Sequence, residues 1–169
     1  LVCEGERVVL SATSGSNDVD NDNCVKEFEW DNGTISANYT TNVTETKTFK
    51  VKGTNYFGCT SSEKGVTVIA VPNPTITTTP SPTACEGSVV QLTAKIEDET
   101  IGNGTYQDSY KWTYENRQVG TDAQLSHNPS GSGTIYYEVT GSRKYSVDVD
   151  PTGSGTSTVA TATCVSSLR

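Results

Sequence analysis

Asp18, Asp20 and Asp22 stand at alternate positions in the stretch Asp18-Val19-Asp20-Asn21-Asp22-Asn23, with Glu29 further along. Calcium takes several hard oxygen ligands from a loop that turns tightly, and this spacing resembles the start of a calcium loop. Asn23 occupies the place of the usual turn glycine, and Asn tolerates a left-handed backbone. The three aspartates are therefore the candidate calcium ligands. The competing reading is a solvated acidic loop, because Glu29 falls on a strand beside Trp30 that points it elsewhere.

Other reactive groups are sparse. Ser126 and His127 read as neighbours in a loop, with no nucleophile elbow and no Cys–His spacing around them. A lone loop histidine of this kind reads as solvated. Glu27 and Glu29, like Asp148 and Asp150, alternate onto one strand face. Paired carboxylates serve glycoside hydrolysis only across a cleft, and here they read as groups that keep a sheet edge soluble. The five cysteines include no Cys-x-x-Cys pair, which argues against a zinc site. Asn32, Asn38, Asn42 and Asn103 each open an Asn-x-Thr sequon, candidate glycosylation sites if the source modifies them. The expectation is a protein that is not an enzyme and needs no cofactor, calcium apart.

Composition narrows the class. The net charge of -8 opposes binding to nucleic acid, which needs clustered Lys and Arg. No run approaches the roughly 20 apolar residues that span a bilayer, so no membrane insertion is expected. The chain opens on Leu1-Val2-Cys3 and contains no Met, which reads as a processed product or an excerpt. With 33% apolar residues grouped in short runs, the 169 residues suit small β domains better than one large core. Five cysteines in such domains point to an oxidising, extracellular setting.

An internal repeat organises these runs. Cys3-Glu4-Gly5-Glu6-Arg7-Val8-Val9-Leu10-Ser11-Ala12 recurs as Cys85-Glu86-Gly87-Ser88-Val89-Val90-Gln91-Leu92-Thr93-Ala94. Each copy then reaches a tryptophan at the same distance, Phe28-Glu29-Trp30 and Tyr110-Lys111-Trp112, and later a Phe49-Lys50-Val51-Lys52-Gly53 or Tyr137-Glu138-Val139-Thr140-Gly141 block. Apolar residues alternate within the blocks and turn residues separate them, which predicts strands without helices. The fold class expected is all-β, two tandem immunoglobulin-like β-sandwich domains over 1–72 and 73–169, with Trp30 and Trp112 in the cores. The boundary falls at Pro72-Asn73-Pro74. Thr75–Thr79 reads as a first strand of domain 2, and the corresponding first strand of domain 1 is expected to be missing.

The sequence Pro-x-Ile-Thr, then Cys-Glu-Gly-x-Val-x-Leu-x-Ala, x-x-Trp and Tyr-x-Val-x-Gly resembles the Ig-like tandem repeats of Bacteroidetes surface and secreted adhesin proteins. The turn Asn55-Tyr56-Phe57-Gly58-Cys59-Thr60 resembles that family's Asn-Gly-Cys-Thr hairpin. Domain 2 departs from the pattern, carrying Arg143–Asp150 instead, read as an extra hairpin. The resemblance implies a spacer, stalk or adhesive role at a cell surface.

In an Ig-like topology, Cys85 and Cys164 share one pole, and Cys24 and Cys59 share the opposite pole of domain 1. This scheme leaves Cys3 as a free or intermolecular thiol. Cys3–Cys59 is the rival pairing, and buried thiols are the alternative to both. The leading expectation is a non-catalytic extracellular structural or adhesive segment. Its partners would be other Ig-like domains of the same protein, identical subunits, or surface glycans. One alternative is a subunit of an extracellular filament assembled by strand donation, with the groove in domain 1. Another is a carbohydrate-binding accessory domain.

Overall fold

The computed structural model describes residues 1–14, 25–79, 82–99, 101, 104–149 and 159–169. Asp18, Asp20, Asp22, Cys24 and Asn103 lie outside the described residues. The chain is all-β and divides into two compact units, Leu1–Val71 and Pro72–Arg169.

In the first unit, β2 (Glu6–Ser11) pairs with β4 (Asn38–Val43), and β3 (Val25–Trp30), β5 (Lys47–Asn55) and β6 (Lys64–Val68) form a second, antiparallel sheet. The period-two pattern sorts side chains as expected: Val8 and Leu10 turn inward, while Val9 between them is exposed. Trp30, Phe49 and Val68 from one sheet meet Val43, Tyr39, Val8 and Leu10 from the other in a single core. The ring of Tyr39 sits 5.6 Å from Trp30 and 5.8 Å from Phe49, centroid to centroid. Cys3 is not strandless. β1 (Val2–Cys3) lies parallel to β7 (Ala70–Val71), with the Val2 amide donating to the Ile69 carbonyl and the Glu4 amide to the Val71 carbonyl. This short strand corresponds by the repeat to Ala84-Cys85 and not to Ile76–Thr78, so it is not the first strand that the repeat would set before Cys3.

The second unit builds the same frame. β8 (Ile76–Thr78), β9 (Val90–Ile96) and β12 (Gln124–His127) make one sheet. The other contains β11 (Arg117–Gly120), β10 (Thr105–Tyr114), β13 (Glu138–Asp148) and β14 (Val159–Leu168), in that order. Leu92 stands opposite Leu125 as Leu10 stands opposite Tyr39, and Trp112 opposite Val139 as Trp30 stands opposite Val51. The amide of Ala94 donates to the Ala123 carbonyl at 2.8 Å, as Ala12 does to Ala37 at 2.8 Å. The Trp112 indole donates to the Asp122 carbonyl at 2.9 Å, as Trp30 does to Ser36 at 2.9 Å.

The repeated glycines have matching reasons. Gly5 and Gly87 of the Cys-Glu-Gly signature have φ of 83° and 78°, a left-handed turn that bulkier residues resist. At Gly141 a Cβ would lie 2.9 Å from the Ile76 side chain and 3.0 Å from Ile96. The main addition in the second unit is the β10–β11 hairpin, whose two-residue loop Glu115-Asn116 has φ of 49° and 62°, the signature of a type I′ turn.

Arg143–Asp148 is not a separate hairpin. It extends β13, paired on both sides by β10 and β14. Arg143 is completely buried there. Its Nε and Nη2 donate to Asp108 at 2.7 and 2.9 Å, its Nη1 donates to the Glu97 carbonyl at 2.9 Å, and its guanidinium lies 3.9 Å from the Tyr106 ring centroid. The hydrogen bonds to Asp108 hold its pKa above the usual arginine range. Tyr145, equally buried, donates its hydroxyl to the Pro72 carbonyl at 2.8 Å and to Glu99 at 3.2 Å. Burial first, and the Glu99 carboxylate second, push its pKa up to about 12.

Arg143→Ala leaves Asp108 without its buried partner, and denaturant unfolding should register a loss of about 3–5 kcal/mol; a change within about 0.5 kcal/mol would mean the pair is not structural. Tyr145 titrates near pH 10 when unfolded, so its neutral folded form adds stability below that pH that is lost as pH rises through about 12. Unfolding free energy should therefore fall less steeply over that window in Tyr145→Phe than in the parent chain, and parallel curves would contradict this.

Candidate interaction site

The first unit presents an ordered, exposed turn between β5 and β6. The Asn55 side-chain oxygen accepts from the Phe57 amide at 3.0 Å and the Cys59 amide at 2.9 Å, while the Asn55 amide donates to the Cys59 carbonyl at 3.0 Å. Asn holds its own turn in this way, and Gly58 takes the left-handed position with φ 81°. Two adjacent aromatic side chains, Tyr56 and Phe57, are consequently 68% and 70% exposed. Large rigid aromatics are the residues most often central to binding surfaces.

The second unit carries a groove of about 610 Å³ with comparable polar and apolar walls. Ala84, Val90, Leu92, Trp112, Pro129 and Tyr137 line it. Tyr137 precedes β13 rather than standing within it, and its hydroxyl lies 2.9 Å from His127 Nδ1. The rings of Tyr114, His127 and Tyr137 pack within 5.3–5.7 Å of one another. Burial raises the Tyr137 pKa, with a smaller contribution from Tyr114. Tyr136, its neighbour, is exposed and stands under Arg169, whose guanidinium is 5.2 Å from the ring.

Several sequence expectations change here. Ser126 and His127 lie on strand β12, not in a loop. His127 is half-buried against tyrosines rather than solvated, and Ser126 accepts a hydrogen bond from Gln91 at 2.9 Å. Glu29 pairs with Lys52 on the adjoining strand at 3.0 Å, fixed by the β3–β5 register. Trp30 and Trp112 are buried. Asn32, Asn38 and Asn42 are exposed, although Asn32 and Asn38 already accept hydrogen bonds from the Thr34 amide and the Ser11 hydroxyl. No cluster of three or more His, Cys, Asp or Glu side chains with metal-ligating geometry occurs among the described residues.

The cysteine scheme is also corrected. Cys59 and Cys85 are free, exposed thiols, so the bridges Cys24–Cys59 and Cys85–Cys164 are not formed, nor is Cys3–Cys59. Cys164 is disulfide-bonded and 1% exposed. It sits within β14 opposite Arg143, well short of the strand end that the sandwich argument assigned to it, whereas Cys85 lies at the groove. Cys3 is disulfide-bonded within the chain, not free and not a link to another molecule. Arg143, Asp108 and the groove were missed by sequence reasoning. The register signal was present, since a strand pair setting Trp112 opposite Val139 also sets Asp108 opposite Arg143.

No family model and no curated protein matches the chain. Among solved structures it is similar to one described as "Three N-terminal domains of the bacteriophage RB49 Highly Immunogenic Outer Capsid protein (Hoc)", at 14% identity and a TM-score of 0.38. That likeness covers 97% of this chain and 55% of the other, so the chain spans about half the length of its structural neighbour.

Proposed function

We propose that this chain is a non-catalytic extracellular module, two tandem Ig-like β-sandwich domains of the Bacteroidetes surface-protein type, working as a spacer or adhesive segment. The supporting observation is the frame built twice, with the same tryptophan-to-carbonyl bond and the same strand register in each unit. Repeating one self-contained β unit extends a chain in a way that a single catalytic domain has no need to do. The exposed Tyr56-Phe57 pair on its hydrogen-bonded turn supplies an adhesive contact without sacrificing core. Extracellular location, surface glycans as ligands and calcium at Asp18, Asp20 and Asp22 belong to this same reading.

A second reading is a filament subunit joined by strand donation, in which main-chain groups at a sheet edge of one subunit accept a strand of its neighbour.

One experiment separates the readings. The purified chain and its Tyr56→Ser/Phe57→Ser variant are placed on a panel of surface glycans and matrix proteins, with light scattering run in parallel. The module reading expects a monomer whose binding is lost in the variant while its melting temperature is unchanged. Concentration-dependent fibres would favour the filament instead, and monomers that bind nothing on the panel would remove the adhesive role.

A further inference from the structure

β14 (Val159–Leu168) is the outermost strand of the larger sheet in the second unit, paired with β13 and, among the described residues, with no other strand. It is ten residues long and contains no charged residue, no Pro and no Gly. Its register runs unbroken from Val159 opposite Asp148 to Leu168 opposite Val139, so no bulge turns the edge aside. Ala160, Ala162 and Cys164 face inward, while Thr161, Thr163 and Val165 stand exposed on the outer face.

The other sheet edges among the described residues are blunted by shortness or charge, as edges ordinarily are. β8, β11 and β12 are three or four residues long, and β4 has six. β2 carries Glu6 and Arg7, and β6 carries Lys64. β3 carries Lys26, Glu27 and Glu29, with a register shift between Val25 and Glu27. β14 has none of these protections. Nor does its open edge depend on where the chain stops. Leu168 opposite Val139 matches Lys64 opposite Val51, so most of β14 lies past the frame shared with the first unit. In the first unit the chain beyond β6 is described, and it leaves the outer edge of Lys64–Val68 without a strand as it runs on through β7.

We infer that the outer edge of β14 is a self-association surface, pairing antiparallel with β14 of a second copy so that the four-stranded sheet continues across a two-fold axis. Two features fit a copy of this chain. The strand is uncharged throughout, so two copies meet with no like charges opposite, and the exposed Thr and Val side chains pack well across strands. Its ends are complementary. Asp148, exposed, stands beside Val159, and Arg169, exposed, follows Leu168. Antiparallel pairing brings Arg169 of each copy to the Asp148 end of the other. A two-fold contact uses each edge once, so the product is a closed dimer and not a fibre. One strand pair is small against the roughly 1,200–2,000 Å² that stable complexes bury. The chain is therefore monomeric when dilute and dimeric when concentrated. None of this depends on an adhesive role.

The test uses the whole chain with its free thiols Cys59 and Cys85 alkylated, so that no thiol-linked dimer forms. Sedimentation is followed up to roughly 1 mM protein, where even a weak association is populated, with hydrogen exchange read by mass spectrometry. Expected are a mass that doubles with concentration and a parallel rise in protection of Val159–Leu168. Val165→Lys and Val165→Glu, which set like charges across the two-fold, should each raise the dissociation constant at least about tenfold with melting temperature unchanged. An equal mixture of the two variants should dimerise again. A chain that stays monomeric at that concentration would overturn the inference. So would a dimer that survives both substitutions, or a mixture that fails to restore it.

Discussion

Each unit depends on one buried tryptophan whose indole N–H reaches a backbone carbonyl just before the strand of the facing sheet. Trp30 donates to Ser36, ahead of β4, and Trp112 donates to Asp122, ahead of β12. The ring fills the centre of a small core, and the hydrogen bond fixes where the chain crosses from one sheet to the other. An indole buried without that acceptor would carry an unsatisfied donor in an apolar setting, at a cost of about 1–3 kcal/mol. In a polar chain with few buried side chains per unit, that bond and that packing set the registers that everything else follows.

The two units complete this common frame differently. The first is closed by Val66–Val71 and its parallel pairing with Val2-Cys3, and among the described residues no strand lies along the far edge of β2. The second covers that edge with β8 and braces the far end of its larger sheet with the Arg143–Asp108 pair and Tyr145. Its groove lies between Thr83–Cys85 and Ile135–Tyr137. Fully satisfied buried polar groups of this sort add rigidity and specify one register, and here they lie on the strand pair that extends past the frame shared with the first unit.

Much of the frame was legible in the residues themselves. The Cys-Glu-Gly signature announces a left-handed glycine before a strand, and Gly5 and Gly87 adopt it. Alternation placed Val8 and Leu10 inward with Val9 outward. The matched positions of Trp30 and Trp112 marked them as core. What stayed hidden depends on pairing across long separations. Arg143 reads as a surface charge until Asp108 is known to lie directly opposite, and His127 reads as solvated until Tyr114 and Tyr137 are seen around it. The cysteine scheme failed for the same reason: it assumed Cys164 ends its strand, whereas the β13–β14 register carries the strand on to Leu168.

Both units are built on the same tryptophan-anchored frame. Hydrogen exchange of the two indole N–H protons, followed by NMR in the intact chain, tests it most directly. Both should be strongly protected, exchanging only with the slowest amides of their own sheets, and both should persist when the exposed turns have fully exchanged. Rapid exchange of either indole at the rate of a solvent-exposed tryptophan would contradict the account.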